Sequence, residues 1–127
     1  MSSLTTPLAL YGLVCIVTIL AQVMSAAGKL DLTQLMGNRE GLPSLTGMAG
    51  RLDRAQMNSV VAMALFAPAV LILAITPGDG TGAFPAWVFL LARIAYVVVY
   101  ALGITYIRTI VWLVGFVMTL WLYLLAL

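Results

Sequence analysis

A chain of 127 residues that is 64% hydrophobic and only 8% charged, with a mean hydropathy of +1.14, lies far outside the profile of a soluble domain. The net charge of +2 gives no surface suited to nucleic acid, and the single cysteine, Cys15, rules out an internal disulfide. There is no histidine, and no carboxylate falls inside an apolar run, so metal sites and proton relays of the usual kind have no ligands to use.

A membrane-spanning helix needs about 20 mostly apolar residues. Such stretches run from Pro7 to Gly28, Gln56 to Thr76, Phe84 to Tyr106 and Thr109 to Leu127, which predicts an all-α, four-span membrane domain over residues 1–127. The runs are continuously apolar rather than alternating, which argues against a β-barrel. The first is too long, and too poor in basic residues ahead of it, for a cleavable signal peptide, so it is expected to be retained. Cys15 lies within it and reads as a small packed hydrophobe.

The segment between the first two spans, about Lys29 to Asp53, is the one sizeable stretch outside them. Asp31 to Met36 could form a short interfacial helix, and Gly37, Gly41, Pro43, Gly47 and Gly50 then punctuate a turn-rich region. Lys29, Arg39, Arg51 and Arg54 precede the second span and Arg108 separates the third from the fourth, whereas Pro77 to Ala83 carries only Asp79. The positive-inside rule then puts the first and third loops in the cytoplasm and both termini on the opposite side. The glycines of Pro77-Gly78-Asp79-Gly80-Thr81-Gly82 read as a plain turn, since no lysine opens a following helix as a phosphate loop requires.

Polar residues inside or bordering the spans form one constellation. Arg54 and Asn58 are four apart and share a helix face that continues through Val61, Leu65 and Pro68. Arg93, near the middle of the third run, shares a face with Tyr96 and Tyr100. Arg108 and Thr109 open the fourth helix, where free backbone N–H groups and the helix dipole favour an anion. If the two polar faces line one cavity, its arginines, asparagine and tyrosines suit an anionic, peptide-like ligand.

Plainer readings compete with each. Arg51, Arg54 and Arg108 at membrane borders can simply snorkel to headgroups. Tyr106, Trp112, Trp121 and Tyr123 read as interfacial or lipid-facing aromatics. Arg93 could be a structural arginine tied to backbone carbonyls or to Gln22, Ser25 or Asn58, and Pro68 leaves the carbonyl of Ala64 without its helical donor. Ala62, Ala64, Ala67 and Ala69 allow close helix packing without choosing an oligomer.

The order Gly50-Arg51-Leu52-Asp53-Arg54-Ala55-Gln56-Met57-Asn58, then Ala92-Arg93-Ile94-Ala95-Tyr96 with Tyr100, then Arg108-Thr109, resembles the MAPEG family, the membrane-associated proteins in eicosanoid and glutathione metabolism. Leu42 to Gly50 is similar to the short bacterial branch. The resemblance implies a homotrimer of four-helix bundles, set among the lipids of a bacterial inner membrane, with ligand sites between subunits that open to the cytoplasm. It implies glutathione or a related thiol as ligand, a lipophilic small molecule as second substrate, and a thiolate stabilised by the arginine at the start of helix four, here Arg108. By the same resemblance Arg51, Arg54, Asn58, Arg93, Tyr96, Tyr100 and Thr109 bind the ligand. Thr109 stands where a serine is frequent, Trp112 where a tyrosine is, Tyr96 where the family has a histidine, and Met57 where it has a second basic residue. The largest departure is Val61, in place of a glutamate that would pair with the helix-three arginine and the ligand's amino group. Two functions follow: a glutathione transferase or peroxidase, or a non-catalytic lipid- or fatty-acid-binding scaffold.

Overall fold

The computed structural model describes residues 4–27, 47–76 and 82–127. It contains the helices α1 (Thr5–Ala27), α2 (Gly47–Ile75), α3 (Ala83–Leu102) and α4 (Thr105–Ala126), all long and apolar enough to cross a membrane. The stretch Asp31 to Met36, expected as an interfacial helix, and Pro77 to Thr81 of the expected turn lie outside the described residues.

The helices run up and down. At one end Gly82, just before α3, is so close to its neighbours that a Cβ would stand 2.9 Å from both Leu4 and Leu73 and 3.5 Å from Leu122. The start of α1, the end of α2, the start of α3 and the end of α4 therefore meet there. At the opposite end Arg51 reaches the last turn of α3, and Arg54 and Arg108 both reach Tyr100. All the described arginines except Arg93 thus collect at one end of the bundle. α2 and α3 form the central pair, with α1 packed on both from one side and α4 on both from the other.

The core is centred on three rings. Phe66 and Phe89 stack at 3.8 Å, and Tyr11 meets both edge-on at 6.0 and 5.0 Å. Ala69 and Ala86, both fully buried beside them, let the backbones approach. Most large apolar side chains elsewhere, among them Leu13, Val17, Leu91 and Phe116, point outward, as expected where lipid rather than water surrounds the bundle.

Three helix boundaries lie four residues or more from those read in the sequence. α2 begins at Gly47, not Gln56, because Ala49, Leu52, Ala55 and Ser59 continue one buried stripe at helical spacing below the charged residues that depress hydropathy there. α3 ends at Leu102, not Tyr106. Gly103 adopts φ 79°, its N–H donates to the Tyr100 carbonyl (3.0 Å) and Ile104 N–H to Val99 (3.1 Å), a Schellman motif that stops the helix inside an apolar run. α4 accordingly begins at Thr105 rather than Thr109, so that Arg108 completes its first turn and Thr109 opens the second.

Candidate functional site

Arg93 is only 2% exposed, at the junction of α2, α3 and α4. Its Nη2 donates to Asn58 Oδ1 at 2.8 Å and to Ser59 Oγ at 3.4 Å, and its guanidinium lies 4.2 Å from the centre of the Tyr96 ring. The aliphatic stem rests on α4 at Gly115, where a Cβ would stand 3.4 Å from Arg93 Cδ. Gly115 is thus the notch that admits the arginine. Of the partners expected from the sequence, Asn58 is the one used. Gln22 and Ser25 make no bond to Arg93, and Gln22 is buried with its amide nitrogen unpartnered among the described residues.

Ser59, next to Asn58 but not singled out by spacing or residue type, ties α1 into this centre. Its carbonyl accepts from the Tyr11 hydroxyl at 2.8 Å and from Cys15 Sγ at 3.7 Å. Cys15 is therefore a buried donor rather than a purely apolar filler. The guanidinium is held by neutral groups alone, and its buried Nε has no partner among the described residues. A cation kept away from water in this way costs several kcal/mol unless fully bonded, so the site is short of an acceptor.

Toward the basic end, Tyr96 and Tyr100 continue the same face of α3 with ring centres 5.5 Å apart. Arg54 Nε donates to the Tyr100 hydroxyl at 3.1 Å, and the Arg108 guanidinium lies 4.6 Å from the Tyr100 ring centre. Among the described residues none of these arginines meets a carboxylate, since Asp53 is bonded to Gln56 (3.1 Å). Arg51 is placed apart: its Nε donates to the Ala101 carbonyl at 3.0 Å and its stem covers Gly103, so it caps α3; neither it nor Arg54, which reaches the site through the Tyr100 hydroxyl, lines a cavity described next.

A polar cavity of about 270 Å³ is lined by Asn58, Tyr96, Tyr100, Arg108, Thr109 and Trp112. An apolar cavity of about 320 Å³ runs deeper between α2 and α4, past Val61, Leu65, Phe89, Gly115 and Phe116 to Tyr123, and also touches Asn58, Arg93 and Trp112. Asn58 and Trp112 belong to both, so the two cavities adjoin. At the far end the Tyr123 hydroxyl donates to the Leu65 carbonyl at 2.6 Å and bridges α2 and α4 across the groove, one residue beyond the acceptor that Pro68 frees. Trp112 and Tyr123, read from sequence as interfacial aromatics, are cavity walls. The signal was present: Arg108, Trp112, Gly115, Thr119 and Tyr123 recur every three or four residues on α4.

Over residues 4–127 the sequence matches the MAPEG family model. The chain belongs to the MAPEG family. None of the curated proteins compared matches it. As a MAPEG protein with four membrane-spanning helices it is an integral membrane protein surrounded by lipid, in a family associated in general with glutathione. Among the described residues no group of three or more His, Cys, Asp or Glu could hold a metal.

Proposed function

We propose that this MAPEG protein is a membrane-embedded, thiol-dependent transferase or peroxidase that acts on lipophilic electrophiles with glutathione or a related thiol. The observation that carries the reading is the junction of the two cavities at Asn58 and Trp112: a basic, hydrogen-bonding chamber opens beside an apolar one. A polar thiol in the first would present its sulfur to an apolar partner in the second, which converts an encounter of two substrates into a positioned reaction.

Arg108 has the central role. It lies in the first turn of α4, where the helix dipole is positive, and its guanidinium faces no carboxylate among the described residues, so both favour a thiolate over a thiol. The thiolate attacks an electrophilic carbon and expels its leaving group, or attacks a hydroperoxide oxygen and releases the alcohol, after which a second thiol gives disulfide and water. Arg54, Asn58, Arg93, Tyr96, Tyr100 and Thr109 hold the co-substrate, with Arg51 supporting them by fixing the end of α3. The working unit is a homotrimer in the bacterial inner membrane, with both termini on the non-cytoplasmic side.

One observation favours a second reading, a non-catalytic fatty-acid- or lipid-binding member of the fold: Val61 lines the apolar cavity where the family's glutamate would stand. Assaying the purified protein with glutathione and chlorodinitrobenzene, alongside native mass spectrometry, separates the two. Conjugation lost in Arg108→Ala supports the enzyme. No conjugation, with lipid bound at about one molecule per subunit, replaces it with the lipid binder.

A further inference from the structure

We infer that a groove between α1 and α3 holds one acyl chain of an anionic phospholipid, with the headgroup phosphate on Arg51. The groove lies on the side of α3 away from the two cavities, so the assignment is independent of the thiol chemistry.

At about 410 Å³ the groove is larger than either cavity, and its walls are apolar: Leu10, Val14 and Val17 on α1 and Leu90, Ile94 and Val97 on α3. Thr18, the one polar residue lining it, spends its hydroxyl on the Val14 carbonyl at 2.7 Å. Only a hydrocarbon chain suits such a surface. α1 and α3 run in the same direction, and at helical spacing the next positions on their groove faces, toward the basic end, are Ala21 and Ala101. Neither side chain is large enough to close the groove, and the Ala101 carbonyl is the group that accepts from Arg51 Nε at 3.0 Å. The groove therefore runs out at Arg51. From Leu90 to Ala101 the helix rises about 16 Å, which matches the depth of about 15 Å of one leaflet in a hydrocarbon core about 30 Å thick.

What Arg51 lacks is an anion. Its Nε and stem are held by Ala101 and Gly103, which fixes the guanidinium at the mouth of the groove, while its Nη groups meet no acceptor among the described residues. A phosphate can take two parallel N–H···O bonds from that free edge. A helix of a second copy would bring apolar side chains to the groove but no free acid, because Asp53, the one acidic side chain among the described residues, is bonded to Gln56 at 3.1 Å. Arg54 and Arg108 stand at the same end of the bundle, so the local field favours a headgroup of net negative charge over a zwitterionic one.

The test is native mass spectrometry of the full-length protein in detergent, titrated with dioleoyl phosphatidylglycerol or dioleoyl phosphatidylcholine. The wild type is expected to retain about one phosphatidylglycerol per subunit at a concentration about tenfold below that for phosphatidylcholine. Arg51→Gln should abolish the preference, whereas Arg54→Gln, at the same end but away from the groove, should keep it. Ile94→Trp fills the groove at its middle and should remove both lipids, and Val17→Trp does the same from α1 if Ile94→Trp fails to fold. No preference in the wild type, or an equal loss in Arg51→Gln and Arg54→Gln, makes the attraction a general one of the basic end and overturns the inference. Lipid that neither tryptophan displaces lies in the apolar cavity of Val61 and Gly115, and oleate that displaces phosphatidylglycerol at equal concentration assigns the groove to a free fatty acid; either result overturns it too. So does a particle that binds no lipid and loses subunits in Val17→Trp, which gives the groove to a second copy.

Discussion

Replacing Asn58 with alanine removes the 2.8 Å acceptor from a guanidinium that is 2% exposed, and leaves Arg93 with the longer 3.4 Å bond to Ser59 and the Tyr96 ring. A hydrogen bond to a charged group contributes about 1.5–3 kcal/mol, and a buried cation left without that acceptor bears its desolvation penalty as well. Asn58 also lines both cavities, so water can reach the vacated position and offset part of the loss. The expected cost is therefore about 2–3 kcal/mol. Ser59→Ala removes a bond at the edge of useful geometry and should cost less than about 1 kcal/mol, whereas Asn58→Asp supplies a carboxylate in place and should be neutral or mildly stabilising. Reversible unfolding in mixed micelles with a rising fraction of dodecyl sulfate, followed by tryptophan fluorescence, gives all three. An Asn58→Ala protein as stable as wild type, or a Ser59→Ala protein that loses more, would refute the view that Asn58 is the principal support of Arg93.

Leu65→Trp should fill the apolar cavity from α2, raising KM for a lipophilic electrophile at least tenfold while leaving the thiolate band in place; loss of both together would mean that the cavities are not separate subsites. Tyr123→Ala removes the bridge to Leu65 and opens the far end of the groove, so activity should shift from short-chain toward long-chain alkyl electrophiles in a steady-state comparison, and an unchanged preference would show that Tyr123 is not the floor. Arg93→Ala should weaken thiol binding without abolishing the band at saturation, because Arg93 stands deeper than Arg108 and lines the apolar cavity; complete loss of the band in a folded protein contradicts that division of roles. In a Cys15→Ser background, which keeps a hydroxyl donor for the Ser59 carbonyl, cysteines at Asn38 and Gly80 should react with an impermeant reagent from opposite sides of the membrane, and labelling from one side would overturn the four-span topology.

The four spans were legible because lipid demands long apolar helices, and composition alone signals them. The convergence of Arg54 and Asn58 with Arg93, Tyr96 and Tyr100 was legible too, since three- and four-residue spacing fixes which side chains share a face. Helix ends were less so. Gly103 terminates α3 by a local backbone conformation that hydropathy does not register, and the charged turn Arg51 to Arg54 hides the buried stripe that carries α2 back to Gly47. Arg51 shows the limit at the site, because a border arginine aimed at a ligand and one capping a neighbouring helix have the same sequence signature. Ser59 was missed because its role depends on which faces of α1 and α2 meet, whereas Trp112 and Tyr123 share a helix face with Arg108 but carry the same signature as aromatics at a membrane interface.

The role of Arg108 is tested most directly by the ultraviolet thiolate band on mixing the purified protein with a saturating thiol at neutral pH, with Arg108→Ala and Arg51→Gln measured beside it. Arg108 borders the polar cavity and Arg51 does not. About one thiolate per site in the wild type and in Arg51→Gln, and none in a folded Arg108→Ala protein, is the expected result. A wild type without the band, or an Arg108→Ala protein that keeps it undiminished, contradicts thiolate stabilisation by Arg108.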